Sequence, residues 1–250
     1  MRMDKWTLIG CIAMSLVAIA MIAFGADNGT VVDIGIGLLS GSIVSAVATL
    51  LHYAYEWRAI HDEVKIALSV TYTQLSVIKD LTGTALQNVS KMSDPTKLNF
   101  SMLSGLASRC HDSSRCRTIS FSGLFRGGQT EGRLARYNEF INSLWALNHC
   151  LKEAEILALE AENFRIQMTL KMQQGFAVTP DEAAQLNVYR DSIIIKVAKI
   201  HEFEASLLNE TDKLGSMFFT GRGESWNGVK AALGNNIEEL AGEGKRSVIR

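Results

Sequence analysis

The sequence predicts an all-α membrane protein in which a two-helix transmembrane hairpin, residues 1–56, precedes a cytoplasmic bundle of long helices, residues 57–250. Two apolar segments near the start, residues 6–24 and 31–55, are each long enough to cross a bilayer. Beyond Trp57, charged residues occur in almost every helical turn. The chain has only 2 prolines in 250 residues, both outside the periodic segments, which favours long helices.

The first apolar segment, residues 6–24, contains no charged side chain. As a helix it would rise about 28 Å, against about 30 Å for the hydrocarbon core of a bilayer. A cleaved signal peptide is the alternative, since Arg2 and Lys5 give a basic start. The apolar run is longer than the usual core of such peptides, about 7–15 residues, and a second span follows at once, so we expect the segment to be retained.

Charges that flank the hairpin predict its orientation. Only residues 25–30 separate the two spans, so the spans must run antiparallel with both termini on one side. Arg2 and Lys5 precede the hairpin and Arg58 and Lys65 follow it, whereas the loop carries Asp27 and no basic residue. Because the cytoplasmic flanks of membrane spans are rich in Lys and Arg, both termini are expected in the cytoplasm.

Small and polar residues recur at four-residue spacing on the second span. We name this set the polar stripe: Asp33, Gly37, Gly41, Ser45 and Thr49, extended by His52. Such spacing lets helices in lipid approach closely, and the first span carries a similar set, Thr7, Cys11, Ser15 and Ala18. Three interpretations stay open: the two sets pack the hairpin together, the polar stripe packs one copy of the chain against another, or it lines an aqueous path through the membrane.

An apolar 4-3 repeat continues directly from the second span. Because nothing breaks the helix after Tyr55, span and repeat are expected to form one rod, within either a bundle or a coiled coil. The repeat consists of Trp57, His61, Val64, Leu68, Thr71, Leu75, Ile78, Thr82, Ala85, Val89 and Met92.

Residues 93–133 resemble an irregular connection, with a short apolar helix predicted at 98–107. A long helix is predicted next, over residues 134–174, with Glu153, Glu155, Glu160 and Glu162 mostly outward. Its inward positions are Tyr137, Ile141, Leu144, Leu151, either Leu157 or Ala158, Phe164 and Met168.

A strong helix start follows at Thr179-Pro180-Asp181-Glu182, where a capping threonine precedes proline and a glutamate at the third helical position. The predicted helix ends near Gly221, and a shorter one is expected from about 225 to 240. Inward positions of the longer helix are Leu186, Tyr189, Ile193, Val197, Ile200, Phe203, Leu207, Thr211, Leu214 and Phe218.

No motif predicts an enzyme or a cofactor. Paired carboxylates, such as Glu202 with Glu204 or Glu238 with Glu239, resemble a solvated helix face. The spacing of His149 and Cys150 and of the loop residues Cys110, His111 and Cys116 fits no common zinc site, so we predict no metal. The cysteines are expected as reduced thiols, and the sequence assigns no role to Cys110, Cys116 or Cys150.

Residues 97–136 form the one basic region, with seven basic against two acidic residues, a net charge of +5. Three interpretations stay open: a solvated loop, contact with anionic lipid headgroups, or contact with a nucleic acid or nucleotide. The candidate polyanion-binding residues are Arg109, Arg115, Arg117 and Arg126.

Residues 35–47, a Gly/Ser-rich span that leads through Tyr55-Glu-Trp-Arg58 into a long helix, resemble small bacterial two-transmembrane proteins with helical cytoplasmic domains. Some of these proteins are membrane effectors of anti-phage systems of the retron or cyclic-oligonucleotide type. The resemblance covers roughly residues 5–90. It implies a homo-oligomer of the inner membrane that is silent until a nucleic-acid, nucleoprotein or nucleotide partner is perturbed and then permeabilises the bilayer. The alternative is a passive membrane-anchored scaffold or sensor that recruits a soluble partner.

Overall fold

The computed structural model describes residues 5–25, 27–91, 118–119, 129–220, 225–234 and 237. In these residues every regular element is an α-helix, in agreement with the predicted all-α class. The helices are α1 (Lys5–Phe24), α2 (Gly29–Lys91), α3 (Gln129–Gln173) and α4 (Pro180–Phe218), and residues 226–234 are also helical. The chain divides into two compact units, Met1–Glu63 with Ile119–Leu134 and Val64–Thr118 with Ala135–Arg250, so α2 supplies residues to both.

Helix boundaries differ from the predicted ones by a few residues. Helix α3 begins at Gln129 instead of residue 134, so the last part of the predicted connection is helical. The boundary was missed because this first turn lacks apolar periodicity. Glu131 lies in the turn and stabilises it, since the N-terminal end of a helix dipole favours a negative charge. Helix α4 ends at Phe218, three residues before Gly221. The short helix predicted at 98–107 lies outside the described residues.

In the first unit, α1 and the start of α2 form a helical hairpin. Its turn is closed by backbone hydrogen bonds from Gly25 N to Met21 O, 2.9 Å, and from Asn28 N to Gly25 O, 2.8 Å. The Asn28 side chain accepts a hydrogen bond from Thr30 N at 3.2 Å, so it caps the first turn of α2.

The second unit is built on three long helical segments. Helices α3 and α4 are antiparallel, since Phe164 contacts Tyr189 and Lys171 pairs with Glu182. Helix α4 also runs antiparallel to α2, since Lys65 lies over the Phe219 ring while Thr82 bonds Glu204. The 4-3 repeat of α2 forms the core as predicted: Val64, Leu68, Thr71, Leu75, Ile78, Thr82 and Ala85 are all buried.

A tight connection joins α3 to α4. Gly175, at φ 85°, ends α3 with hydrogen bonds from Gly175 N to Met172 O and from Phe176 N to Lys171 O, which is a Schellman motif. The predicted capping box begins α4: Thr179 Oγ1 accepts from Glu182 N, and the Glu182 carboxylate accepts from Thr179 N. The helix start expected from the sequence is therefore confirmed.

The indole of Trp226 fixes the helical segment 226–234 against α4 and α2. Its Nε1 donates to Asp212 Oδ1 at 2.8 Å, and its ring packs edge-on against Tyr72 at 5.5 Å between centroids. The indole lies directly on Gly215, where an added Cβ would fall within 3.0 Å of its ring atoms. Only glycine therefore fits at residue 215 without displacing the tryptophan.

Candidate functional site

The small residues of α1 face α2 inside the hairpin. Ala18 is 0% exposed. Ser15 Oγ lies 2.7 Å from Ser42 Oγ, which is a polar contact between two otherwise apolar helices. A Cβ added to Gly35 would meet Ile22 Cγ1 at 2.9 Å and the Ala18 carbonyl oxygen at 3.1 Å. Gly35 and Ser42 are therefore the positions on α2 that let the two helices approach closely.

The polar stripe does not take part in this packing. Gly37 and Gly41 have no atom within 4 Å of an added Cβ, and Asp33 and Ser45 are exposed. The polar side chains that can bond locally do so: Thr49 Oγ1 donates to Ser45 O at 2.7 Å. His52 lies 3.1 Å from Glu56. Within one chain the stripe is thus unused, and a role between copies or along an aqueous path stays a prediction.

The structure places none of the predicted polyanion-binding arginines. Arg109, Arg115, Arg117 and Arg126 all lie outside the described residues, as do Cys110 and Cys116. His149 is exposed and pairs with Glu153 at 3.4 Å, and Cys150 is a half-buried thiol. Among the described residues, no group of three or more His, Cys, Asp or Glu side chains could hold a metal ion.

A buried polar cluster joins α2 to α4, and the sequence analysis missed it. Glu204 is 0% exposed, which corrects the prediction that this carboxylate belongs to a solvated face; its neighbour Glu202 is exposed. Thr82 Oγ1 donates to Glu204 Oε2 at 2.9 Å and lies 3.0 Å from His201 Nδ1. The other oxygen, Oε1, is buried without a hydrogen-bond partner.

Burial raises the pKa of Glu204 to about 8, and the hydrogen bond from Thr82 and the charge of Lys79 only partly oppose this rise. The physical reason is that a carboxylate loses most of its solvation in the core, whereas the neutral acid loses little. At neutral pH the folded chain therefore keeps Glu204 largely protonated. A proton on the carboxyl group also suits the geometry, because Thr82 has one hydroxyl hydrogen and two acceptors in reach, Glu204 Oε2 and Lys79 O at 3.0 Å.

A signal for this cluster was present in the sequence. Apart from Gly215, the buried positions of α4 alternate by three and four residues, from Val197 through Ile200, Glu204, Leu207, Thr211 and Leu214 to Phe218. Glu204 occupies a core position of that repeat, whereas Phe203, which was predicted inward, is only half-buried. Spacing was therefore a better guide at this turn than residue type.

A groove of about 620 Å³ lies on the surface between α3 and α4. Its walls include Cys150, Leu157, Ile195 and Phe203, and the ion pair of Lys196 with Glu153, 2.9 Å, crosses it. That pair lowers the pKa of Glu153, so the groove contains a carboxylate and an ammonium group held against each other.

No protein-family model, no curated protein and no solved structure matches this chain. The function is therefore inferred from the geometry of the two units.

Proposed function

We propose that the chain is an oligomeric effector anchored in the bacterial inner membrane, which permeabilises that membrane when triggered, in phage defence. The anchor would be the hairpin of α1 and the start of α2. Both helices are long and apolar enough to cross a bilayer. Only 6% of the most apolar stretch of α1, and 11% of that of α2, is buried in the fold. A core helix of a soluble protein would be mostly buried, so these surfaces need an apolar solvent.

The outward position of the polar stripe is the observation that carries the effector proposal. In lipid, Asp33 and His52 on an otherwise apolar helix surface are costly unless they meet water or polar groups. The hairpin packs through Gly35 and Ser42 and leaves Asp33 exposed, while His52 pairs with Glu56 one turn farther along α2. Copies of the chain that bring their stripes together would bury these groups from lipid and could surround an aqueous path.

Expression in bacteria with a potential-sensitive dye tests this proposal. We expect the chain to collapse the membrane potential and stop growth when it is overproduced, or when its partner no longer keeps it silent. A passive membrane-anchored scaffold, the alternative, would leave potential and growth unchanged and would co-purify with a soluble partner.

The proposed orientation has both termini in the cytoplasm. We expect a reporter fused at Asn28 to be periplasmic and one fused at Arg250 to be cytoplasmic, because basic residues flank the hairpin on its cytoplasmic side only. Fusions to alkaline phosphatase and to green fluorescent protein measure whether each of the two positions is periplasmic or cytoplasmic. Cytoplasmic fluorescence from the fusion at Asn28 would contradict the hairpin orientation.

We further propose that residues 97–136 bind a polyanionic partner, either a nucleic acid or a nucleoprotein. Changing Arg109, Arg115 and Arg117 together to glutamine should weaken this association, since each neutralised phosphate adds about one unit to the slope of log affinity against log salt. Lys152→Gln with Lys213→Gln, two exposed lysines outside the segment, is the control. Retention measured in detergent indicates nucleic acid, whereas binding only to anionic liposomes would contradict it.

A further inference from the structure

Helix α3 has two opposite apolar faces, and only one of them packs in the bundle. The buried face includes Leu147, Ala154, Ala161 and Met168, each seven residues from the next. The other face, here named the outer stripe, consists of Ile156, Leu159, Ile166 and Leu170, which are 58%, 48%, 43% and 51% exposed. Single exposed apolar residues are ordinary, but four on one line of a helix mark a contact surface.

The outer stripe has the geometry of a helix-binding seam. Its residues follow a heptad pattern with Asn163 at the one intervening position, so they lie along one side of α3 for about 21 Å. A second helix of about four turns would cover this length. The polar Asn163 would fix the register of that helix, as a polar residue at a single seam position does in coiled coils.

Carboxylates border the stripe on both sides. Glu153 and Glu160 lie along one edge, and Glu155 and Glu162 lie along the other, each pair seven residues apart. Glu153 pairs with Lys196, and Glu162 pairs with Arg165 at 2.6 Å. From residue 153 to residue 170 the helix has four acidic residues against one arginine, a net charge of −3.

This charge pattern selects the occupant. A second copy of α3 would place acidic edges against acidic edges in either direction, which is unfavourable. An anionic lipid surface is disfavoured for the same reason. We infer that the outer stripe of α3 binds an amphipathic helix of another protein, with apolar residues at heptad spacing and Lys or Arg on both flanks. Membrane permeabilisation is not required for this binding.

The test uses the full chain in nanodiscs of zwitterionic lipid and a fluorescent peptide of about 21 residues, with leucine at the a and d positions and lysine at the e and g positions of three heptads. A matched peptide carries glutamate in place of lysine. We expect the anisotropy of the lysine peptide to show saturable binding above that of empty nanodiscs. The glutamate peptide should bind at least about tenfold more weakly.

Variants of the chain locate the binding. Leu159→Ser with Ile166→Ser should weaken binding of the lysine peptide by about tenfold or more, because it removes half of the apolar contact. Glu155→Gln with Glu160→Gln should weaken it severalfold at low salt, and less at high salt. Ile66→Ser is the matched control, since Ile66 is 66% exposed and lies on a different helix, α2. The substituted side chains are exposed except that of Glu155, which is half-buried, so melting curves should match those of the wild type.

Equal affinity for the two peptides, or affinity unchanged by Leu159→Ser with Ile166→Ser, would overturn the inference. Two other occupants would also overturn it. A smaller particle mass in this double variant, without peptide binding to the wild type, would assign the stripe to a second copy. If anionic vesicles, but not the lysine peptide, protect the thiol of Leu159→Cys from alkylation, the stripe would be assigned to lipid.

Discussion

Replacing Glu204 with glutamine is expected to change how stability depends on pH more than any other single substitution in the bundle. The folded pKa is about 8, against 4.5 for an unperturbed glutamate. Below pH 4.5 both states carry the proton, so the fold keeps its full stability. Between pH 4.5 and 8 the unfolded chain ionises while the folded chain holds the proton, so stability falls as pH rises.

Thermal melts at pH 5 and pH 8 measure this effect. We expect the wild type to lose on the order of 3–4 kcal/mol between these values through this group, and Glu204→Gln to lose much less, because glutamine keeps an acceptor for Thr82 without a charge to bury. Glu202→Gln, an exposed neighbour on the same helix, should follow the wild type. A pH dependence that is identical in wild type and Glu204→Gln would show that Glu204 is not protonated in the fold.

Larger side chains on two different faces of α2 are expected to have the second large effect, on helix packing within the hairpin and on association between copies. Gly35→Leu should separate the hairpin, because its side chain would enter the space of Ile22 and the Ala18 carbonyl. Gly37→Leu with Gly41→Leu should leave the hairpin intact, since neither glycine has a neighbour within 4 Å. If copies pack through the polar stripe, this double variant should associate roughly tenfold more weakly, equivalent to about 1.4 kcal/mol, and should no longer collapse the membrane potential.

Two measurements separate these outcomes. In a chain whose 4 native cysteines are alanine, Ser15→Cys with Ser42→Cys should form a disulfide, because the two hydroxyl oxygens are 2.7 Å apart. Gly35→Leu should suppress this cross-link, and the Gly37/Gly41 variant should not. The mass of the detergent-solubilised particle reports association between copies. Gly10→Leu, which adds the same bulk at an open position of α1, is the control. An unchanged mass and unchanged depolarisation in the Gly37/Gly41 variant would exclude the polar stripe as an interface.

The helices of the bundle were predictable because their core positions alternate by three and four residues, as Val64 to Ala85 on α2 illustrates. Such a repeat keeps one face inward over many turns. The alternation also decides between Leu157 and Ala158: Ala158 is buried and Leu157 only half-buried. Glu204 was missed because an acidic residue was judged by its charge and not by its place in the repeat.

Ser15 and Ala18 of the small set on α1 do form the hairpin contact, but their partners on α2 were missed for a geometric reason. Four residues turn a helix by 400°, so a four-residue repeat advances by about 40° at each step and winds through about 160° from Asp33 to Thr49. Seven residues return to within about 20° of the same direction. Gly35 and Ser42, seven apart, therefore share the face toward α1, whereas the polar stripe begins on nearly the opposite side of α2 at Asp33 and, at Gly37 and Gly41, still points more than about 90° away from α1.

The hydrogen bond between Thr82 and Glu204 has a consequence for how the chain is made. Its two residues are 122 positions apart, so the ribosome completes α2 long before it makes the segment of α4 that covers it. At about 5–20 residues per second, the interval is roughly 6–25 s. During that time Leu68, Leu75 and Ile78 are exposed on a nascent helix whose start is already apolar enough to enter a membrane. Chaperones that bind nascent chains near the membrane are therefore expected to determine the yield of folded protein.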